Sequence, residues 1–140
     1  MKCDVLFVLS IFAITSLVLG GIFLSFTKGS ADVKIDAKGT NQIDGTSVAD
    51  TIHGNGGRDV IHGFQGDDAI HGVGGNDLLF GNSGGDTLYG GSGNDVLSGD
   101  IGGPLRGSDK FYCGTGKDTV LDFEPSEGDF QSDCEIFYQS

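Results

Sequence analysis

The chain has 140 residues, 26 of them glycine, with no tryptophan, two prolines and a formal net charge of −12. So much glycine argues against an ordinary side-chain-packed core, and two prolines without a three-residue period exclude a collagen-like helix. The acidity excludes a nucleic-acid binder, which needs a basic footprint.

Residues 1–31 differ in kind from the rest. From Val5 to Phe26 the chain carries no charge. That run is longer than the apolar core of a cleaved signal peptide and long enough to span a bilayer as a helix. Gly29 and Ala31 suit the small-residue positions of a cleavage site before Asp32. The segment is predicted to be a hydrophobic helix, either a retained transmembrane anchor or a signal peptide. Both place the remainder outside the cytoplasm, secreted or at the cell surface.

Residues 32–44 read as a linker and an N-terminal cap row, with Asn41 in the ligand position as a neutral, weaker ligand and Ile43 facing inward. From residue 45 to 103 the pattern becomes strict. Aspartate recurs every nine residues at Asp50, Asp59, Asp68, Asp77, Asp86 and Asp95. A glycine stands five residues before each, at Gly45, Gly54, Gly63, Gly72, Gly81 and Gly90, and a large aliphatic two residues after, at Ile52, Ile61, Ile70, Leu79, Leu88 and Leu97. A second glycine fills the fourth position of five rows, as Gly57, Gly66, Gly75, Gly84 and Gly93. A fixed period of this kind is the signature of a stacked repeat. Glycine-rich turns present a carboxylate, and three residues of short strand follow with the middle one inward. One coil then takes two rows. Asp50, Asp68 and Asp86 line one edge, and Asp59, Asp77 and Asp95 the other. Stacked like charges need a cation, and carboxylates with backbone carbonyls from adjacent coils suit Ca²⁺ better than Mg²⁺, which dehydrates reluctantly. Gaps between successive aspartates on each edge give about four sites, with affinities on the order of 10⁻⁴ to 10⁻³ M.

The row Gly90-Gly-Ser-Gly-Asn-Asp95-Val-Leu97-Ser98 reads G-G-x-G-x-D-x-U-x throughout. Residues 45–99 therefore resemble the RTX, or hemolysin-type calcium-binding, family. The resemblance implies an all-β, right-handed parallel β-roll, a two-sheet solenoid of nonapeptide repeats, with Ca²⁺ as cofactor. The metal-site residues it implies are Asp50, Asp59, Asp68, Asp77, Asp86 and Asp95 with Gly57, Gly66, Gly75, Gly84 and Gly93. Thr46, Ser47 and Val48 replace glycines in the row of Asp50 and weaken that position as a ligand.

Residues 104–140 read as a C-terminal capping segment. The register breaks between Asp100 and Gly107 and returns with Asp109, Phe111, Asp118 and Val120, leaving open whether Asp109 and Asp118 bind metal. Phe111, Phe123, Phe130, Phe137 and Tyr138 supply bulk, and a bridge between Cys113 and Cys134 would clamp the end in an oxidising compartment.

Outward positions give the faces different characters. His53 and His71 fall on one face and His62 on the other, so the three cannot converge on a zinc ion. Val60, Leu78 and Val96, with Phe80 beside them, form an apolar stripe suited to covering by the C-terminal segment, a protein partner or a second copy. No Ser-His-acid or zinc-protease constellation is present, so the expected function is non-catalytic calcium binding with folding on Ca²⁺. Surface adhesion through the stripe is the alternative.

Overall fold

The computed structural model describes residues 32–34, 39–100 and 107–137; residues 32–34, 136 and 137 are described by backbone alone. The predicted hydrophobic helix of residues 1–31 lies outside the described residues. Those described form twelve strands: β1 (Asp32–Lys34), β2 (Gln42–Asp44), β3 (Thr51–His53), β4 (Val60–Gln65), β5 (Ala69–Gly74), β6 (Leu78–Ser83), β7 (Thr87–Ser92), β8 (Val96–Ser98), β9 (Lys110–Thr115), β10 (Thr119–Val120), β11 (Phe130–Ser132) and β12 (Ile136–Phe137). Odd-numbered strands build one six-stranded sheet and even-numbered strands the other, all pairings parallel. This is a parallel β-solenoid of about five turns. Each coil gives one strand to each sheet, so sheet neighbours lie one coil apart and run the same way.

The nine-residue period appears directly in the register. Thr51 pairs with Ala69 and Ala69 with Thr87 in one sheet, while Val60 pairs with Leu78 and Leu78 with Val96 in the other. The middle residue of each short strand segment points inward, as the pattern requires. Ile52, Ile70, Leu88 and Phe111 face Ile43, Ile61, Leu79, Leu97 and Val120, and none exposes more than 1 % of its surface. The core is one side chain thick on each side, so every layer depends on its neighbours.

The described residues of the C-terminal segment, 107–137, extend the stack and do not fold back over it. Thr87 pairs with Lys110 and Val96 with Thr119. Both registers carry the same five-residue excess over the normal step, so the insertion is confined to the turn between β8 and β9. Phe111 takes an aliphatic core position, with Phe123 against it edge-to-face at 6.4 Å. Cys113 and Cys134 are bridged, with Cα atoms 5.1 Å apart. The expected covering of the apolar stripe by this segment is thus corrected. Val60, Leu78, Val96 and Phe80 keep a half-buried outer face.

Candidate metal centre

From Gly54 to Gly93 each turn between strands contains two left-handed residues. The second position is left-handed at Asn55, Phe64, Val73 and Asn82, with φ between 77° and 82°. The fourth is left-handed at Gly57, Gly66, Gly75, Gly84 and Gly93, with φ between 112° and 132°. Where glycine holds the fourth position, a side chain is excluded for a further reason. A Cβ on Gly75 would overlap Gly57 O, and one on Gly93 would overlap Gly75 O. Turns stack so closely that carbonyl oxygens of one coil occupy the space a side chain would need in the next.

The aspartates then form two ladders. Asp50, Asp59, Asp68 and Asp77 each donate their backbone N–H to Oδ1 of the aspartate eighteen residues on, at 2.8 Å. Beyond the insertion the ladders continue: the N–H groups of Asp86 and Asp95 donate at 2.8 Å to Oδ1 of Asp109 and Asp118. Asp109 donates to Asp129 Oδ1 at 2.9 Å and Asp118 to Glu135 Oε2 at 2.6 Å, which ends both series. At the opposite end Asn41 donates to Asp59 Oδ1 through its backbone and side chain. One oxygen of each carboxylate therefore has a structural task, satisfying a peptide N–H that the turn would otherwise leave orphaned.

The second oxygen does not. Oδ2 of Asp59, Asp68, Asp77, Asp86, Asp95 and Asp118 is buried with no hydrogen-bond partner. Burying an anionic oxygen unpaired is costly, and the acidities respond. Burial pushes Asp68 up to about 7, opposed by the Asp50 N–H and reinforced by Asp86, Asp50 and Asp67. Asp86 and Asp95 rise to about 6 and Asp109 to about 8, again chiefly through burial and then through neighbouring carboxylates. Asp59, Asp77 and Asp118 shift the same way for the same first cause.

What lies beside these oxygens is a backbone carbonyl. A Cβ on Gly54 would stand 2.7 Å from Asp59 Oδ2 and 3.0 Å from Gly72 O, so both oxygens border one small space. Gly63 leaves such a space between Asp68 Oδ2 and Gly81 O, and Gly72 between Asp77 Oδ2 and Gly90 O. A Cβ on Gly90 would be 2.6 Å from both Asp95 Oδ2 and Cys113 O. Among the described residues no three acidic, histidine or cysteine side chains converge on a metal position. Each cradle offers one carboxylate and carbonyl oxygen, an all-oxygen donor set that fits a hard cation such as Ca²⁺.

The structure places the six predicted aspartates on two edges but treats them unequally. Asp50 Oδ2 accepts from the Thr46 N–H at 2.6 Å and from Thr46 Oγ at 2.9 Å, so this carboxylate is satisfied within its own turn. The fourth-position glycines have their carbonyls against the next such glycine along the edge, as Gly57 O against Gly75, Gly66 O against Gly84 and Gly75 O against Gly93. The carbonyls that border the same spaces as the orphaned oxygens belong to the first position: Gly72, Gly81, Gly90 and Cys113. The sequence reading passed over them, although the leading glycine of every row was their signal. A fifth-position ladder was missed too: Asn76 Oδ1 accepts from Asn94 N–H, and Asn94 Oδ1 from Lys117 N–H. His53 and His71 stack at 4.5 Å on one face and His62 on Phe80 at 4.8 Å on the other, so the three stay apart.

Comparison with known proteins bears on these cradles. Residues 44–79 and 71–103 match the family model of the RTX calcium-binding nonapeptide repeat (4 copies). No curated protein and no solved structure matches the chain.

Proposed function

We propose that this chain, whose residues 44–103 carry the RTX calcium-binding nonapeptide repeat, is a non-catalytic, extracytoplasmic β-roll that folds when Ca²⁺ binds. The observation that carries this reading is the row of buried, unpartnered Oδ2 atoms, of which those of Asp59, Asp68, Asp77 and Asp95 each border a backbone carbonyl across a space only glycine leaves open. Asp59, Asp68, Asp77, Asp86 and Asp95 would hold the ions, with the carbonyls of Gly72, Gly81, Gly90 and Cys113. Calcium would neutralise carboxylates whose charged form burial disfavours in the metal-free stack. Because the cradles exist only between stacked coils, binding free energy would be folding free energy. The Cys113–Cys134 bridge supports an oxidising compartment, as does the uncharged run from Val5 to Phe26.

Calorimetric titration of the full chain with Ca²⁺, and with Mg²⁺ as control, tests the reading. The expected result is one Ca²⁺ at each of these five aspartates, with dissociation constants on the order of 10⁻⁴ to 10⁻³ M and weaker Mg²⁺ binding. Equal heats from both ions would remove the all-oxygen calcium cradle as the explanation.

A second reading, adhesion through the open apolar face, draws on the stripe of Val60, Leu78, Val96 and Phe80 and on Phe64, which is 44 % exposed. Under it, sedimentation would show self-association on Ca²⁺ addition that Leu78→Ser abolishes. A chain monomeric at all Ca²⁺ concentrations would dismiss self-adhesion.

A further inference from the structure

On the edge carrying Asp59, Asp77 and Asp95, the first position of successive coils runs Gly54, Gly72, Gly90 and, past the insertion, Cys113. Tyr89 pairs with Tyr112 and Gly91 with Gly114, so Cys113 stands in register with Gly90. Its carbonyl occupies the same relation to Asp95 that Gly72 O has to Asp59 and Gly90 O to Asp77. Asp95 Oδ2 is buried and unpartnered, like the others. This last oxygen pair straddles a boundary: Asp95 lies within the matched repeats, which end at residue 103, and Cys113 lies beyond them.

Cys113 differs from the glycines in two ways. Its backbone is held covalently as well as by the sheet, because its fully buried sulfur is bonded to Cys134 between β11 and β12, in the final coil. It also carries a real Cβ, five residues before Asp118, where the earlier rows have a glycine that leaves room for the carboxylate. Asp118 therefore lacks the glycine cradle, and Asp95 is the last aspartate on this edge to have one.

The geometry points to a terminal calcium site, formed by Asp95 Oδ2 and the Cys113 carbonyl, whose affinity is controlled by the Cys113–Cys134 disulfide. This rests on the calcium reading above and adds a redox input to it. A dithiol reductant would break the Sγ–Sγ bond, passing two electrons and two protons to give two thiols while closing as its own cyclic disulfide. Cys134 is only partly buried and offers the approach. Freed from the final coil, Cys113 would hold its carbonyl less firmly beside Asp95. The sites at Asp59, Asp68 and Asp77 lie one or more coils away and take their carbonyls from glycines.

The test is Ca²⁺ calorimetry on the full chain, oxidised and dithiol-reduced, with Cys134→Ser and Asp95→Asn. Reduction should weaken one ion roughly tenfold, a fraction of the ordering that a cross-link of this span supplies, and leave the rest unchanged. Cys134→Ser should reproduce the reduced isotherm with no reductant present. In Asp95→Asn the redox-sensitive ion should be missing and the two isotherms should coincide. Superimposable isotherms for the oxidised and reduced wild-type chain would overturn the inference while leaving the calcium reading intact. A loss of affinity spread over every ion would also overturn it, since the bridge would then be stabilising the whole roll. Absence of Ca²⁺ binding in both redox states would overturn the site and the calcium reading together.

Discussion

Asp77 lies mid-array, and its two oxygens have separable tasks. Oδ1 accepts the Asp59 N–H at 2.8 Å, and Oδ2 borders the cradle shared with Gly90 O. Asp77→Asn keeps an acceptor for the peptide and removes the anionic ligand. Asp77→Ala removes both. With free Ca²⁺ at 100 times the site's Kd, losing one independent site costs about 2.7 kcal/mol, and at ten times Kd about 1.4 kcal/mol. Leaving the buried Asp59 N–H without a partner adds about 1–3 kcal/mol for the alanine variant alone. Urea unfolding followed by circular dichroism at the two Ca²⁺ concentrations would separate the terms. The asparagine deficit should roughly halve on tenfold Ca²⁺ dilution, while the further alanine penalty should stay constant. An asparagine deficit that does not move with Ca²⁺ would refute the assignment of Oδ2 to the metal. It would leave Asp77 as a turn-shaping residue only.

Acidity gives a second prediction. The folded-state values of Asp68, Asp86, Asp95 and Asp109, about 6 to 8, lie above the ordinary 3.8. Their contribution to the metal-free roll is therefore fully present below about 3.8 and lost as pH rises through 6 to 8. In chelator the chain should hold more β-structure at pH 4 than at pH 8 by circular dichroism, while the Ca²⁺ midpoint should fall between pH 6 and pH 8; a rise of chelated structure with pH would contradict this. Glycine substitutions give a third. Gly72→Ala would drive a Cβ against Asp77 Oδ2, whereas a Cβ on Gly56 meets nothing within 4 Å. Thermal melts in Ca²⁺ should show a large loss for the first and a change within about 1 kcal/mol for the second; equal losses would refute the cradle.

Much of this architecture was legible because one period encodes it. Side-chain direction alternates along a strand, so an aliphatic every nine residues sufficed to place Ile52, Ile70 and Leu88 opposite Ile61, Leu79 and Leu97. Carbonyl direction leaves no such trace. The carbonyls of Gly72, Gly81 and Gly90 beside the orphaned oxygens depend on turn dihedrals, and the fourth-position glycines proved to be where coils press together. The left-handed turn position held by Phe64 and Val73 was hidden for a similar reason, because neither residue type advertises positive φ. The C-terminal extension was obscured by the five inserted residues, although Asp109 and Phe111 re-enter in phase once they are removed. The satisfied state of Asp50 was partly visible, since Thr46 replaces a glycine. Its backbone N–H and hydroxyl bind the carboxylate that glycine rows leave half free.

The central claim is that calcium and folding are one event. Far-UV circular dichroism of the full chain in non-ionic detergent, titrated with Ca²⁺ from chelator with Mg²⁺ as control, tests it most directly. The account predicts a cooperative gain of β-structure with Ca²⁺ and little with Mg²⁺ near neutral pH, where the metal-free stack must carry unneutralised carboxylates. A spectrum already β-rich in chelator and unmoved by Ca²⁺ would contradict it, leaving a metal-independent solenoid in which the aspartates serve only the peptide ladder.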